Sequence, residues 1–499
     1  MTIDYDVVII GGTITARHAA LRAAQLRAQV ALVEPGVSYS LIRHYAMAEI
    51  CRVGMAGSDI FRAGLQLTQS WEQNISQIAS TGWENITNLD KFDKSGATVS
   101  LIEYAQAVAS VVEEKYSPSF LSAQGVDVIE GNPYFQADPQ LAIAINGRLL
   151  KSRSYILACG SKPLVPQNIE GLENIGYYTL ENVWESINQE QNQKKWVILG
   201  GTPQSIEAAQ ILVKLGCDVT LIVKDSCLLP EIDAEIAQIL KVQLEVDGIN
   251  IITRSYATQV RIIDHKKWLQ VGNKAIETDE ILLAIAQQPN IESLNLPAVE
   301  VKWHKNRLLV NDKLQTTNRR IFASGDVIGG YEFINIANYE AKIALSNALF
   351  FSTQKTNYKS IPWVVATQPF FATVGFNEAM AKKRYGENAV IVLRQYVKNL
   401  TTAQFTGETT GLCKFIILSS GQILGASILG AQAREIINLV AIAIDNDINI
   451  QKISNLIPAY PSFSEIIEQI GMLWHQQQLN TNRQEFLEDF FAFRRDWKI

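Results

Sequence analysis

The sequence predicts an α/β protein with two β-α-β dinucleotide-binding units followed by a C-terminal α+β region. Three observations support this prediction. An apolar strand at the N-terminus leads into a glycine turn and an alanine-rich segment, the same pattern returns near residue 196, and the pattern changes beyond about residue 360. Strands in a parallel sheet are covered on both faces, so they are expected as continuous apolar runs of this kind.

Composition sets the class of protein. The chain has 499 residues, of which 47% are hydrophobic and 19% charged, and a net charge of −6. This length suits about three domains, and no Lys/Arg cluster suggests a nucleic-acid partner. Acidic residues at the N-terminus and short apolar runs predict neither a signal peptide nor a transmembrane segment, so we expect a cytoplasmic protein.

The first unit occupies the N-terminus. Tyr5–Ile10 is predicted as a strand, Gly11-Gly12-Thr13 as a tight turn and residues 14–27 as a helix, followed by a second strand that ends at Glu34. This is the layout of a Rossmann-like unit, in which the glycine turn lies at the start of the helix.

The second unit repeats the pattern. Trp196–Leu199 is a predicted strand, Gly200-Gly201-Thr202 a turn and Gln204–Leu215 a helix, and the strand that follows ends in Lys224. Two such units in one chain predict two nucleotide-binding domains.

Shorter elements complete the prediction. Residues 155–159 and 281–286 are strands that lead into crossings between domains, and 320–326 is a strand with a carboxylate at its end. The C-terminal region contributes strands at 370–375, 411–418 and 423–429, then a helix at 435–445. Residues 484–498 form an amphipathic tail.

The order of these pieces resembles the class I pyridine-nucleotide disulfide oxidoreductases, which include dihydrolipoamide dehydrogenase, glutathione reductase and mercuric reductase. The motifs that carry the resemblance are DYDVVIIGG (4–12), ACGSKP (158–163), GGTPQSIE (200–207), ASGDV (323–327), the segment 414–444 and AYPSFSE (459–465). The resemblance implies an FAD-binding domain in two parts (1–165 and 286–355), an NAD(P)-binding-like domain (166–285), a dimerisation domain (356–480) that makes a homodimer, and a tail (481–499).

The resemblance also implies the cofactor-binding residues. The FAD pyrophosphate would lie over the helix N-terminus, where backbone N–H groups favour an anion. Glu34 would hydrogen-bond the adenosine ribose, Gly325 and Asp326 would face the ribityl and pyrophosphate end, and Ala337 would face the flavin ring. The implied FAD residues are Gly11, Gly12, Thr13, Ile14, Thr15, Ala16, Glu34, Pro35, Ala158, Cys159, Gly160, Gly325, Asp326 and Ala337, and those for NAD(P)H are Gly200, Thr202 and Lys224.

Both glycine fingerprints depart from the family pattern. In the first fingerprint, Thr13 stands at the position of the second glycine. Its hydroxyl would hydrogen-bond a phosphate, or its methyl group would push the cofactor away. The alternative is a strand-turn-helix that binds no ligand. Thr202 and Ser205 replace two glycines of the second. Lys224 suits the 2′-phosphate of NADPH. The alternative is that Lys224 is only a solvent-exposed residue at the end of a strand.

The redox-active disulfide of the family has no counterpart. The family's C-x4-C motif falls on Ile42 and Met47, or with a one-residue shift on Leu41 and Ala46. The nearby Cys51 is alone and is expected to be a helix-face thiol rather than a nucleophile. The five cysteines (51, 159, 217, 227 and 413) have no metal-ligand spacing, so no metal site is predicted.

The C-terminal base of the family is replaced as well. Tyr460 stands where the resemblance places a histidine, and Glu465 stands where it places the glutamate that orients that histidine. A tyrosine with a reference pKa near 10 is a poor base at neutral pH. The loss of thiols and base together argues against disulfide reduction, lipoamide chemistry and mercury reduction.

Other polar residues remain at the flavin end. Arg43 or His44 is expected near the isoalloxazine, and the alternative is a contact between a loop and a domain. Glu207 resembles the family's flavin-proximal acid, whose lysine partner is missing here, so we expect Glu207 to lack a partner. The alternative is a first-turn glutamate that complements the helix dipole.

The tail carries an aromatic stripe. Phe486, Phe490, Phe493 and Trp497 fall on one face of a helix. Such a stripe is expected to pack on its own domain or on the partner of a dimer, and the alternative is docking to another partner or a membrane surface.

Two functions remain open. The first is an FAD-dependent oxidoreductase that passes electrons from a reduced donor, with NAD(P)H as one candidate, through the flavin directly to a small acceptor such as a quinone or dioxygen. The second is a non-catalytic flavin-binding homodimer that acts as a sensor or scaffold. Arg43, His44, Glu207, Tyr460 and Glu465 are the candidate catalytic residues.

Overall fold

The computed structural model describes residues 3–35, 41–54, 94–187, 194–305, 307–330, 332–478 and 481–497. The chain separates into two compact units, one of residues 1–229 and 243–356 and the other of 230–242 and 357–499. The larger part of the second unit is residues 357–499, and the predicted domain boundaries stay predictions.

The first unit contains two parallel five-stranded sheets with the same plan. In each sheet the first strand of the β-α-β motif lies at the centre, Tyr5–Ile10 in one and Lys195–Leu199 in the other. Both neighbours of each central strand run parallel to it. The side chains of Val7 to Ile10 have no exposed surface, as expected of a strand covered on both faces.

The strands of the first unit fall into these two sheets and several small ones. In spatial order, the first sheet consists of Ile321–Ala323, Ser152–Leu157, Tyr5–Ile10, Val30–Glu34 and Val126–Glu130, and the second of Asn250–Ile252, Asp218–Ile222, Lys195–Leu199, Glu280–Leu283 and Tyr178–Thr179. The smaller sheets are Ala257–Ile263, Lys266–Val271 and Lys274–Thr278; Tyr134–Gln136, Ala142–Ile145 and Arg148–Leu150; Trp303–His304 and Arg307–Leu308; and Ser161–Pro163 and Gln287–Pro289.

The helices of the first unit flank the sheets. They are Ile14–Gln25, Leu41–Gly54, Lys94–Glu114, Pro118–Ala123, Leu172–Ile175, Val183–Ser186, Pro203–Lys214 and Ile334–Leu349, and Ala234–Val246 extends from residues counted with the second unit. The predicted β-α-β elements are confirmed to within two residues. The two predicted crossings pair with each other as antiparallel strands, Ser161–Pro163 against Gln287–Pro289.

The second unit is a five-stranded antiparallel sheet with helices. In spatial order its strands are Trp363–Val365, Phe370–Gly375, Ile423–Gly430, Leu412–Leu418 and Val390–Tyr396. Its helices are Glu378–Tyr385, Thr401–Thr406, Ala433–Asp445, Ile450–Ile453, Glu465–Gln478 and Thr481–Asp496. The predicted α+β character of this region is confirmed.

A buried ion network ties residues 230–242 to this sheet. The Lys414 side chain is 3% exposed and its Nζ lies 2.8 Å from Asp233, 3.1 Å from Glu235 and 2.6 Å from Glu378. Arg394 also contacts Glu235 and Glu378. A lysine in this position is held by three carboxylates, so removing it would leave buried negative charges unpaired.

The tail forms the predicted helix, Thr481–Asp496. Phe490 is 44% exposed, Phe493 62% and Trp497 68%, and the rings of Phe493 and Trp497 lie 5.5 Å apart. The side chain of Phe486 lies outside the described residues, and packing of the stripe on its own domain or on the partner of a dimer stays a prediction. Across the described ranges, no helix is long and apolar enough to cross a bilayer.

Candidate active site

A cleft opens where three parallel strands of the first sheet end. Its walls come from the residues that follow Tyr5–Ile10, Ser152–Leu157 and Ile321–Ala323, and ligands of open α/β sheets bind at such carboxyl ends. The cleft and the open solvent at its mouth together take up about 510 Å³. It is lined by Thr13, Ile14, Thr15, Leu41, Ala158, Gly160, Ser324, Gly325, Asp326, Phe333, Ile334 and Ala337.

Most of the residues predicted to bind FAD lie at this cleft. Gly12 is half-buried, Ala16 and Cys159 are buried, and these three flank the lining residues in sequence. Pro35 is half-buried and follows Glu34 at the end of the second strand. Gly11 has φ of +147°, and a Cβ there would lie 2.1 Å from the carbonyl oxygen of Ala158. Only glycine fits this close approach of two backbones, which brings the turn and the strand Ser152–Leu157 together.

Thr13 caps the first helix. Its Oγ1 accepts a hydrogen bond from the backbone N–H of Ala16 at 3.1 Å and donates to the carbonyl oxygen of Ala158 at 2.9 Å. Its Cγ2 lies 2.8 Å from where a Cβ on Gly160 would be. The hydroxyl proton is therefore used within the protein, so the expected hydroxyl donation to a phosphate is not available in this arrangement.

The helix N-terminus keeps free donors beside Thr13. Ile14 and Thr15 are the first two residues of the helix, whose N–H groups have no intrahelical acceptor. Both line the cleft. Free N–H groups and the positive end of the helix dipole form an anion site, which suits a pyrophosphate.

Glu34 is held by an arginine that the sequence analysis did not single out. Arg17 Nε lies 2.6 Å from Glu34 Oε1 and Nη2 lies 3.0 Å from Oε2, a two-pronged ion pair. The Glu34 side chain is only 6% exposed. Each carboxylate oxygen retains a further lone pair, so Glu34 can still accept a hydroxyl group of a ribose while Arg17 fixes its orientation.

The opposite wall supplies further polar groups. Ser161 Oγ donates to Asp326 Oδ2 at 3.2 Å, and burial raises the pKa of Asp326. Ser324 is buried in the wall and its Oγ has no hydrogen-bond partner among the described residues. Because buried polar groups are nearly always satisfied, this orphaned hydroxyl favours a polar ligand in the cleft. Together with the free N–H groups, it shows that the residues present fit an extended dinucleotide.

The second β-α-β motif, residues 195–222 of the first unit, repeats the Thr13 arrangement. Thr202 Oγ1 accepts from the N–H of Ser205 at 3.2 Å and lies 3.4 Å from the carbonyl oxygen of Ala284. A Cβ on Gly200 would lie 2.0 Å from that same oxygen. The Ser205 hydroxyl donates to the Thr202 carbonyl at 2.7 Å, and Lys224 is exposed after the second strand.

His44 and Glu207 form a buried pair. His44 Nε2 lies 2.6 Å from Glu207 Oε2, and the two side chains are 0% and 1% exposed. The expectation that Glu207 lacks a partner is therefore wrong, because helix Leu41–Gly54 directs His44 against helix Pro203–Lys214. The alternative of a first-turn glutamate is also wrong, since Glu207 is the fifth residue of its helix.

Tyr45 follows His44 and packs against it, with the ring centroids 5.8 Å apart. Burial and the negative charges of Glu207 and Asp326 raise the pKa of Tyr45, so the phenol stays protonated. Burial and the charge of Asp326 raise the pKa of Glu332 to about 7. Arg43 is half-buried on the same helix as His44, and its predicted place near the flavin stays a prediction.

The cysteines are free and mostly buried. Burial raises the pKa of Cys51 and of Cys159 to about 12, and that of Cys217 to about 11. Cys51 lies on helix Leu41–Gly54, as predicted for a helix-face thiol. Thiols with such pKa values are protonated at neutral pH and are poor nucleophiles.

Tyr460 and Glu465 belong to the second unit. The Tyr460 side chain is 72% exposed. Glu465 begins helix Glu465–Gln478, and its Oε1 accepts a hydrogen bond from the N–H of Ser462 at 2.7 Å. Glu465 therefore caps a turn at the start of this helix, and its predicted catalytic role stays a prediction, as does that of Tyr460.

Several residues of the site were not predicted, among them Arg17, Ser324 and Trp184. Arg17 had a usable signal, because a cation one turn into the first helix can reach the acid that ends the second strand. Ser324 lies inside the ASGDV motif. Trp184 contacts His44 across 140 positions of sequence and carries no local signal.

Family models match almost the whole chain. Residues 5–341 match the pyridine nucleotide-disulphide oxidoreductase model, and residues 361–470 match the dimerisation domain of the same family. A mercuric reductase from Staphylococcus aureus is 29% identical over 477 residues, covering 93% of this chain and 81% of the relative. A dihydrolipoyl dehydrogenase from the same species is 26% identical over 477 residues, covering 93% of this chain and 95% of the relative.

Solved structures show the same fold. The Cu(II) complex of the HOCl-induced flavoprotein disulfide reductase RclA from Escherichia coli has a TM-score of 0.77 at 22% identity, covering 95% of this chain and all (100%) of that one. LpdA from Mycobacterium tuberculosis also has a TM-score of 0.77, at 18% identity, covering 94% of this chain and 99% of that one.

Proposed function

The chain belongs to the pyridine nucleotide-disulphide oxidoreductase family, whose members bind FAD and usually use NAD(P)H as a substrate. From this premise we propose that it is an FAD-dependent oxidoreductase that passes electrons to a small acceptor, such as a quinone or dioxygen, without a thiol–disulfide relay. One observation carries the proposal: helix Leu41–Gly54 has no cysteine pair and instead presents the buried His44–Glu207 hydrogen bond.

The sulfur chemistry of the relatives needs two neighbouring thiols and a thiolate. The helix contains Cys51 alone, and Met47 is a buried apolar residue where the family motif would place its second cysteine. Burial raises the pKa of Cys51 to about 12, so it has almost no thiolate at neutral pH. Disulfide reduction, mercury reduction and lipoamide chemistry are therefore not expected of this chain.

The cleft of the first unit is proposed to hold the FAD. Ile14 and Thr15 would donate their N–H groups to the pyrophosphate, Glu34 would accept from the adenosine ribose, and Ser324 and Asp326 would bind the ribityl end. When bound, FAD supplies a redox centre that accepts a hydride from a donor and gives electrons to an acceptor. The protein supplies binding, orientation and the electrostatic surroundings.

The residues near Asp326 are proposed to handle protons. Tyr45 is a protonated phenol close to two carboxylates, and Glu332 has a pKa raised to about 7 by burial and by Asp326. A carboxyl group with that pKa holds and releases a proton near neutral pH, which matches the proton uptake that accompanies reduction of a quinone to a hydroquinone. His44, which is hydrogen-bonded to Glu207, packs against Tyr45.

The second β-α-β motif, residues 195–222 of the first unit, is proposed to receive the electron donor. Its helix N-terminus is built like the one at the FAD cleft, with Gly200 and Thr202 in corresponding places. Lys224 is exposed after the second strand, where a cation suits the 2′-phosphate of NADPH. We therefore expect NADPH to be preferred to NADH.

A homodimer is proposed from the dimerisation domain. In helix Ala433–Asp445 one face packs into the core, while Leu439 is 44% exposed and Ile442 56%. Two large apolar side chains three residues apart on an exposed face are typical of a surface that a second subunit covers.

The proposal is tested on the purified full-length protein under anaerobic conditions. A yellow protein whose flavin absorbance bleaches within seconds after addition of NADPH supports the proposal, as does reoxidation by 1,4-benzoquinone or by air. The Cys51→Ala variant serves as the control and is expected to bleach at the same rate. Robust turnover of dihydrolipoamide, or loss of turnover in Cys51→Ala, would contradict it.

A second function, a flavin-binding homodimer that acts as a sensor or scaffold, is favoured by one observation. Thr202 and Ser205 occupy two glycine positions of the second fingerprint, and their side chains are bonded to the turn itself. If neither NADPH nor NADH bleaches the bound flavin, this second function, or a different donor, accounts for the protein better.

A further inference from the structure

Arg254 lies beside Lys224 at the carboxyl edge of the second sheet of the first unit. The last residue pair of two neighbouring parallel strands in this sheet is Ile222 with Ile252. Lys224 and Arg254 each come two residues after that pair, and neighbouring strands lie about 4.8 Å apart. Both residues are exposed, so two cations stand next to each other at this edge.

The two segments stay joined after their strands end. The N–H of Ser255 donates to the carbonyl oxygen of Val223 at 3.2 Å. The N–H of Arg254 donates to the carbonyl oxygen of Asp225 at 2.9 Å. Arg254 has φ of +53°, a left-handed conformation that is uncommon for a residue other than glycine. These bonds hold the backbone of Arg254 against the segment that carries Lys224.

Both cations are available to a ligand. Within the ranges that the structure describes, neither side chain takes part in an ion pair or a hydrogen bond. Asp225 follows Lys224 and is exposed as well, so Lys224, Asp225 and Arg254 together carry a net positive charge. A net positive charge on adjoining exposed side chains attracts a phosphate group.

The helix N-terminus of the second motif offers fewer donors than that of the first. Pro203 begins the helix and has no N–H, and the N–H of Ser205 is bonded to Thr202 Oγ1. Of the first three residues of this helix, only Gln204 retains an N–H without an acceptor in the helix or its cap, whereas the first motif retains two such groups. A dinucleotide bound here therefore depends more on contacts beyond its pyrophosphate.

We propose that Arg254 acts with Lys224 to bind the 2′-phosphate of NADPH and is a specificity-determining residue for this donor. The inference rests on the proposed function, which assigns the donor to the second motif. In Rossmann-like units the adenosine ribose lies at the carboxyl end of the second strand, which is where these two residues stand. The guanidinium offers a planar fork of N–H groups that matches phosphate oxygens, and the ammonium adds a second charge. NADH has no phosphate at this position and gains nothing from either cation.

The first test measures nucleotide binding, which needs no redox step. The full-length protein is titrated calorimetrically with 2′,5′-ADP, with its isomer 3′,5′-ADP and with 5′-AMP. We expect 2′,5′-ADP to bind about tenfold or more tightly than the other two, and this advantage to shrink as salt is added. Equal binding of 2′,5′-ADP and 5′-AMP, or of the two ADP isomers, would overturn the proposal.

The second test compares Arg254→Met and Lys224→Met with Arg261→Met as the matched control. Arg261 is an exposed arginine of strand Ala257–Ile263 in a different sheet, so its loss removes the same charge from another place. Each of the first two variants is expected to weaken 2′,5′-ADP binding about tenfold and to leave 5′-AMP binding within about twofold, while the control changes neither.

The outcomes separate this inference from the proposed function. A folded Arg254→Met variant that binds 2′,5′-ADP as tightly as the parent protein refutes the role of Arg254, even if NADPH bleaches the flavin. If 2′,5′-ADP binds with the expected selectivity but NADPH does not bleach the flavin, the phosphate site stands and the proposed function alone fails. Where NADPH does bleach the flavin, Arg254→Met should raise the KM for NADPH and leave the rate at saturation unchanged.

Discussion

The Arg17–Glu34 ion pair gives a sharp prediction about the adenosine end of the cleft. Arg17→Met keeps the aliphatic stem and removes a guanidinium that contacts Glu34 at 2.6 and 3.0 Å. Breaking a fully buried pair costs about 3–5 kcal/mol, whereas an exposed pair is worth about 0–1 kcal/mol. Because the Glu34 side chain is 6% exposed and the Arg17 side chain 23%, we expect a loss of about 2–3 kcal/mol.

A double-mutant cycle separates the lost pair from lost packing. Arg17→Met, Glu34→Gln and the double variant are compared by urea unfolding of the full chain, followed by far-UV circular dichroism. The double variant is expected to be more stable than Arg17→Met, since no unpaired carboxylate remains, with a coupling of about 2 kcal/mol. A loss below about 0.5 kcal/mol in Arg17→Met, or a double variant that is additive, would refute the reasoning.

Three further predictions concern backbone, thiols and acid stability. Gly11→Ala places a Cβ 2.1 Å from a backbone carbonyl oxygen, so we expect it to abolish FAD binding and to lower the free energy of unfolding by about 3 kcal/mol or more. The control Gly125→Ala, whose Cβ would meet open space, is expected to lower it by about 1 kcal/mol. Isothermal titration with FAD measures the binding, and urea unfolding measures the stability. Burial raises the pKa of the Cys51 thiol to about 12, so we expect this thiol to resist iodoacetamide at about pH 7 in the native protein and to react with it in urea. Mass spectrometry of the alkylated protein measures both reactions. Rapid alkylation of Cys51 in the native protein would contradict its burial. Burial alone would raise the pKa of Glu378, but hydrogen bonds from two lysines, Lys414 among them, lower it from 4.5 to about 2. Because the pKa of Glu378 is lower in the folded state than in the unfolded state, this stabilisation is full above about pH 4.5 and is lost as the pH falls towards 2. The urea midpoint of unfolding should therefore fall over that pH range. A midpoint that does not change with pH would contradict the ion network.

The fold could be predicted because its main signals are local. The strands Tyr5–Ile10 and Lys195–Leu199 are apolar runs followed by glycine turns, and each sits at the centre of a parallel sheet as such runs should. The small sheet of Ala257–Ile263 and its neighbours was not predicted, because its strands carry many polar, exposed side chains and form no continuous apolar run. Helix Lys94–Glu114 was also missed, since its residues lack a strong apolar stripe.

The site could be predicted only where a motif fixes the backbone. Thr13 and Asp326 line the cleft because each comes three residues after the end of a strand of the sheet, and Gly11 directly follows the strand Tyr5–Ile10. The hydrogen bond that Thr13 donates depends on Ala158, which is 145 residues away, and the contact of His44 with Glu207 spans 163 residues. Contacts at such separations are decided by how helices and strands pack together, and no local pattern reports them.

The number of electrons that the purified protein accepts tests the central claim most directly. Under anaerobic conditions the full-length protein with bound FAD is titrated with dithionite, and absorbance is followed through the flavin bands. A flavin alone takes up two electrons per chain, whereas a flavin with a redox-active disulfide takes up four. Two electrons per chain is the result predicted here, and uptake of four would contradict an electron path without sulfur.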